Sequence, residues 1–283
     1  QAITSKLNIE IDARAAVTSV LNVQANSAEI HGISIFNCPL SGCINVDGDS
    51  VKILGNYVGL KANGEVASNS ESKTGINITG SLSQIGGLLP KERNIISNNS
   101  NTQINISGGT ATKVQGNIIG AKPDGTVSKE FNNGKGVTLD GLVSNALIGG
   151  TEVGQGNVFR GLTDSAILVL EKEYKNENYI ATPTQNTILG NSISAINISG
   201  KTPSVGTSSI DFLHGIDISN PSDFVLDEFW KIDPIDSSKY LYPPKVNSAL
   251  FQPENILNVS IDVNSMGSTS GLYRIEFFLQ HKS

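Results

Sequence analysis

The side chains best suited to chemistry in this chain are few and widely spaced. Its three histidines, His31, His214 and His281, are scattered, and none has a partner acid that would make it a general base. His31, in the corner of AEIHGISIF, reads as a surface polar group. Asp47 and Asp49 in DGDS, and Asp140 in a second Asp-Gly pair, are turn acids, favoured there for backbone hydrogen bonding. Asp47 and Asp49 offer at most a weak Ca²⁺ site, because their spacing matches neither an EF-hand loop nor the glycine-rich nonapeptide of calcium β-rolls. No other metal and no cofactor is implied. Cys38 and Cys43 frame the loop CPLSGC. They could close a small ring in an oxidising compartment or stand as two buried free thiols; without a second pair they do not form a zinc site.

Residues suited to binding lie in polar loops. Asn63 belongs to LKANGEVASNSESKT (60–74), and Lys122 and Asp124 belong to its counterpart AKPDGTVSKEFNNGK (121–135). Asn63-Gly64 and Asp124-Gly125 mark tight turns, so each loop is expected to be a small hairpin standing off the body, removable without harm to the fold. Tyr174 and Tyr179 sit among Lys and Asn in LEKEYKNENYIATPTQ (170–185), which could bind sugars by stacking and hydrogen bonding or could be a plain solvated loop. Trp230, the single tryptophan, lies in DEFWKIDPIDSSKYLYPP, where the aromatics either cover an open core or form a ligand platform.

The elements that position these groups are repeats. LGNYVG (54–59) returns as QGNIIG (115–120), GINITG (75–80) as GVTLDG (136–141) and IGG (85–87) as IGG (148–150), at offsets of about 61 to 63 residues. Inside that period, segments of alternating polarity start near Ile44, Ile76, Ile104, Val137, Ile167, Ile196 and Ile216, mostly about 30 residues apart, so two turns make one super-repeat. Each turn has a second short apolar piece (VKIL, SQIG, TKVQ, NALI, NTIL) and a third (NYVG, NIIS, NIIG, NVFR, NSIS), separated by Gly, Asn and Asp. Three short strands per turn at constant pitch predict an all-β, right-handed parallel β-helix of about eight or nine turns. A propeller would need antiparallel meanders with tight hairpins, whose signals are scarce here.

Asn56, Asn94, Asn117, Asn157 and Asn191 each stand just before a third strand, four of them directly after a Gly. They predict an asparagine ladder, each residue adopting the left-handed corner conformation and bonding to the copies above and below. The outward positions of the first strands are Asn45, Asn77, Asn105, Thr138, Leu168, Asn197 and Asp217, nearly all neutral, and hold no carboxylate pair.

The solenoid is expected over 1–219, a capping or linker segment over 220–244, and the start of a β-sandwich-like module or a packed hairpin over 245–283, with strands at 255–264 and 271–280. Of the 283 residues, 38% are hydrophobic but only 6% aromatic, so Ile, Val and Leu fill the core. A net charge of −6 without a basic stripe argues against nucleic acid as a partner. No apolar run is long enough for a membrane-spanning helix. Gln1 opens within strand-like sequence, which suggests a mature or trimmed start.

The GN-[aliphatic]-[aliphatic]-G and IGG elements, followed by GIDIS (215–219), a Pro-ended linker and YRIEFF (273–278), resemble bacterial right-handed parallel β-helix repeat proteins of the cell surface, within the pectate-lyase-like superfamily by fold. That resemblance implies a secreted or surface location and a β-sandwich after the solenoid. Catalytic members of the superfamily act on polysaccharides through clustered Asp with Gly-His-Gly and Arg-x-Lys elements, or through an acidic Ca²⁺ site with an Arg base; neither set occurs here. The expectation is therefore a non-enzymatic scaffold, adhesin or stalk, contacting glycans or a host or neighbouring cell surface through its loops. A polysaccharide lyase, hydrolase or epimerase with a loop-built site, or a carbohydrate-binding module using the Asn/Thr face, are the alternatives.

Overall fold

The computed structural model describes residues 7, 9–16, 20–39, 41–67, 72–170, 183 and 185–193 with their side chains, and the backbone alone at 172–174, 179–181, 194, 216–218, 225–226, 230–231, 245–251 and 257–262. Three parallel sheets wind around one core as a right-handed parallel β-helix with three strands per turn. The first sheet stacks Leu21–Val23, Ile44–Val46, Thr74–Ile78, Thr102–Ile106, Lys135–Asp140, Ile167–Leu170 and Ile216–Ile218. The second runs from Glu29–His31 through Lys52–Leu54, Gln84–Ile85, Lys113–Val114, Leu147–Gly149 and Thr187–Leu189 to Val225–Leu226, where Trp230–Lys231 adds an antiparallel edge. The third runs from Ile9–Asp12 and Ile33–Phe36 through Tyr57–Val58, Ile95–Ile96, Ile118–Ile119 and Val158–Arg160 to Ser192–Ser194.

Alternation of polarity along strands this short puts one or two aliphatic side chains per strand inside, and the register aligns them in columns. Ile44, Ile76, Ile104, Val137 and Ile167 form one column; Ile53, Ile85, Val114, Ile148 and Ile188 form a second; Ile35, Val58, Ile96, Ile119 and Phe159 form a third. All of them are buried. The first and third sheets each have seven described strands, against the eight or nine turns expected. Ile196, expected to open a first strand, lies outside the described residues, and Ile216–Ile218 pairs directly with Ile167–Leu170. Near the C-terminus, Lys245–Phe251 pairs antiparallel with Leu257–Asp262. The expected partner strand at 271–280 is outside the described residues.

The ladder is continuous but its backbone differs from expectation. Asn56, Asn94, Asn117, Asn157 and Asn191 are all buried, and each Nδ2 donates to the next residue's Oδ1, at 3.2, 2.9, 2.9 and 2.9 Å along the series. At three of the five corners, however, the left-handed residue is the preceding glycine: Gly55, Gly116 and Gly190 have φ of 64°, 68° and 63°, whereas no ladder asparagine has positive φ. Glycine is required there for room as well, since a Cβ would strike the carbonyl oxygens of Lys91, Gly87 and Gly150 respectively. The asparagines thus serve the corner through their side chains. At the first turn Gly32 takes the ladder place, and Asn56 instead bonds to the backbone of Ile30 and Ile33.

A second corner, between the first and second sheets, was not legible in the sequence. Ser27, Ser50, Leu82, Ala111, Asn145 and Gln185 have φ from 54° to 59°, and each lies two residues before a strand of the second sheet. Leu82 is 58% exposed, so its side chain gains little from packing while its backbone sits where L-residues are disfavoured. Leu82→Asn should stabilise the protein by about 1 kcal/mol, because Asn tolerates this conformation. Denaturant melts of the two proteins would check it; an unchanged or lower midpoint would count against the strain.

The thiols form a disulfide, Cys38–Cys43, buried in the core where the third sheet hands over to the first. The intact mass should match the oxidised form, with no alkylation in unreduced protein. Replacing both cysteines by alanine should cost about 2 kcal/mol, the chain-entropy value for so small a ring.

Candidate functional site

The two long loops do not stand off the body; over the described stretches they lie flat on the outside of the third sheet. The outward column of that sheet is Glu10, Ser34, Tyr57, Ile95, Ile118 and Val158, apolar in its middle. The loops bring Leu60, Ala62, Val66, Ala121 and Phe131 onto it, making a second apolar layer with Tyr57, Ile95 and Ile118. Burial pushes the Tyr57 phenol above its ordinary range. Hydrogen bonds fix both roots: Ser34 Oγ donates to Leu60 O (2.7 Å) and Ser97 Oγ to Ala121 O (2.8 Å). Ala62 N donates to Glu10 Oε1 at 2.6 Å.

On this ledge the expected binding residues occupy equivalent places. Lys61 N bonds to Glu65 O (2.9 Å) and Lys122 N to Thr126 O (2.8 Å), closing two similar turns. Within them Asn63 Oδ1 accepts from Glu65 N (3.0 Å) and Asp124 Oδ1 from Thr126 N (2.9 Å). The turns touch: Lys122 Nζ lies 2.6 Å from Glu65 Oε2, and a Cβ on Gly64 would come within 2.8 Å of Pro123 Cδ. The Thr126 hydroxyl, followed by its amide, holds the exposed Asp124 carboxyl below the usual range. Arg160 ties the second turn to the third sheet through Gly125 O (3.0 Å). Asn63, Lys122 and Asp124 therefore form one ordered patch of mixed charge. The residues that hold it down, Glu10, Ser34 and Ser97, gave no sequence signal, since each is a single polar residue whose role depends on a contact at least 24 positions away.

The outward face of the first sheet carries a second amide stack. Asn45 Nδ2 donates to Asn22 Oδ1 (3.2 Å), and Asn77 Nδ2 donates to Asn45 Oδ1 (2.9 Å) and Ser41 O (2.6 Å). Asn105, Thr138, Leu168 and Asp217 continue the column; Thr138 and Leu168 are buried. Asn197, expected here, is outside the described residues and its place is Asp217's. Near this face Lys135 and Asp164 pair at 3.4 Å.

The turn acids are tied to neighbouring turns. Asp47 Oδ1 accepts from the Thr79 hydroxyl (2.6 Å) and Asp49 Oδ1 from Ser81 N (2.7 Å). Among the described residues no three His, Cys, Asp or Glu side chains gather as a metal site would require. His31 is exposed on the edge strand of the second sheet; His214 and His281 are outside the described residues. Tyr174 and Tyr179 are register partners in a two-stranded antiparallel sheet, Lys172–Tyr174 with Tyr179–Ala181. Trp230 pairs with Leu226 at the end of the second sheet, far along the stack from the ledge in strand order. The structure thus brings Asn63, Lys122 and Asp124 together and leaves Tyr174, Tyr179 and Trp230 on other elements. Among the described residues no helix is long and apolar enough to cross a membrane. No family model, no curated protein and no solved structure matches this chain.

Proposed function

We propose that the chain is a rigid, non-enzymatic scaffold of an extracellular or cell-surface protein, of the bacterial parallel β-helix kind, which presents the ledge around Asn63, Lys122 and Asp124 to a glycan or a neighbouring cell surface. One observation carries this reading most: on the first sheet, the face where a solenoid could set out an acid and a base, the outward side chains of Asn22, Asn45 and Asn77 are amides bonded to one another along the axis. The buried Cys38–Cys43 bridge supports an oxidising location.

The test has two arms. Incubation with a panel of polysaccharides, with and without Ca²⁺, should give neither new reducing ends nor unsaturated products; either would overturn the non-enzymatic part. A glycan and cell-adhesion screen should find binding that is lost in the triple variant Asn63→Ala/Lys122→Ala/Asp124→Ala. Binding that survives the triple variant would move the contact off the ledge.

A further inference from the structure

Only two asparagines in the chain precede a glycine, Asn63 and Asn133, and the fold treats them in opposite ways. We propose that Asn63 is a site of spontaneous deamidation, through which the ledge gains a negative charge as the protein ages, while Asn133 is held in its amide form. The chemistry needs no partner but water. The backbone nitrogen of the following glycine attacks the asparagine Cγ, the bond to the side-chain nitrogen breaks, and ammonia leaves with the proton the glycine nitrogen gives up. Water then opens the cyclic imide at one carbonyl or the other, giving aspartate or isoaspartate. Glycine favours the step because it has no side chain to hinder ring closure.

Reaction requires the asparagine side chain to swing onto the next amide, so its restraints decide the rate. Asn133 is fully buried. Its Nδ2 donates to Gly120 O and Gly161 O, both at 2.8 Å, its Oδ1 accepts from Asn98 N at 2.6 Å, and Gly134 N donates to Asn99 O at 2.9 Å. All four bonds would have to break, which opens a corner of the solenoid. Asn63 is exposed and its side chain has one bond, from Glu65 N; Gly64, buried beside Pro123, donates its N–H to Lys61 O within the same short turn. Local fraying of that turn is enough.

The equivalent turn in the second loop shows what one product would look like. Asp124 already occupies the Asn63 place and accepts the same kind of bond, from Thr126 N. Conversion of Asn63 to aspartate therefore preserves the turn, and places a second carboxylate beside Glu65, the partner of Lys122. Isoaspartate adds a methylene to the main chain and breaks the Lys61–Glu65 closure.

Folded protein held in mildly alkaline buffer and mapped by peptide mass spectrometry should convert at Asn63 at least about tenfold faster than at Asn133, because only the latter needs the corner to open. In strong denaturant the two rates should become similar, and Asn63→Gln should remove the acidic species that builds up in the folded protein. Equal rates in the folded state, or an Asn63 that stays intact while denatured chains convert at both positions, would overturn the proposal.

Discussion

Replacing 60–73 and 121–134 by Gly-Gly links should lower the melting temperature by roughly 5–15 °C and expose a sticky face. Ile95, Ile118 and Tyr57 are buried together beneath the loops. Each loses about 1.5–3 kcal/mol of burial if fully exposed, and even half of that summed over the three residues is about 2–4 kcal/mol. For a chain of this size each kcal/mol moves the midpoint by about 2–4 °C. The sequence alone suggested the reverse, that trimming polar loops would leave stability untouched. Scanning calorimetry with light scattering checks it: unchanged melting and no aggregation would mean that the ledge does not cover the third sheet. A milder variant, Leu60→Ala with Ala121→Gly, should show a smaller loss of the same sign. If it does not, the apolar layer contributes little.

That the loops lie on the third sheet, where the sequence predicts hairpins standing off it, shows what a repeat sequence can convey. The core was legible because strict alternation in INV, INI and VTL fixes which side of each strand faces inward, and the period fixes what stacks on what. The ladder was legible for the same reason: asparagine recurs at one place in five successive turns, as Asn56, Asn94, Asn117, Asn157 and Asn191. The outward side of the third sheet carries a different rule. Tyr57, Ile95 and Ile118 lie in the pairs YV and II, where both residues are apolar, so no alternation marks one as outward. Two consecutive apolar residues in a two-residue strand mean that both faces are covered, and something outside must do the covering. That signal was present in NYVG, NIIS and NIIG. By contrast, nothing in Leu82 or Ala111 marks a left-handed corner, because neither residue type prefers that conformation; the corner is imposed by the backbone bonds from Leu82 N to Thr110 O and Ala111 N to Ser144 O. In the loop patch, Asn63 and Asp124 could be found from their glycines, whereas the contact of Lys122 with Glu65 spans 57 positions and depends on the two-turn spacing of the loops.

The second large effect is expected in the ladder, and it should depend on pH in an unusual direction. Asn117 is fully buried; its Oδ1 accepts from Asn94 N and Nδ2, and its Nδ2 donates to Ile85 O, Gln115 O and Asn157 Oδ1. Asn117→Leu removes every one of these and leaves the Asn94 donors without their acceptor, a loss on the order of 2–4 kcal/mol. Asn117→Asp keeps the acceptor but replaces the donor by a buried charge facing the Ile85 carbonyl and the Asn157 oxygen. Desolvation and those oxygens both raise the folded-state pKa of that carboxyl, so its ionised form is strongly destabilising. The sign follows from linkage: a carboxyl whose folded pKa lies above its unfolded value destabilises the fold at pH above the folded value, and the penalty disappears below the unfolded value of about 3.9. The aspartate variant should therefore be less stable than the leucine variant near pH 7 and recover relative to it on acidification to about pH 4, where a protonated side chain can again donate one bond. Asn132→Ala, at an exposed neighbouring loop position, should stay within about 0.5 kcal/mol of the parent at both pH values. Denaturant midpoints of the four proteins at the two pH values decide the matter. A pH-independent difference between the aspartate and leucine variants, or an Asn117→Leu protein as stable as Asn132→Ala, would mean that the ladder does not hold the turns together.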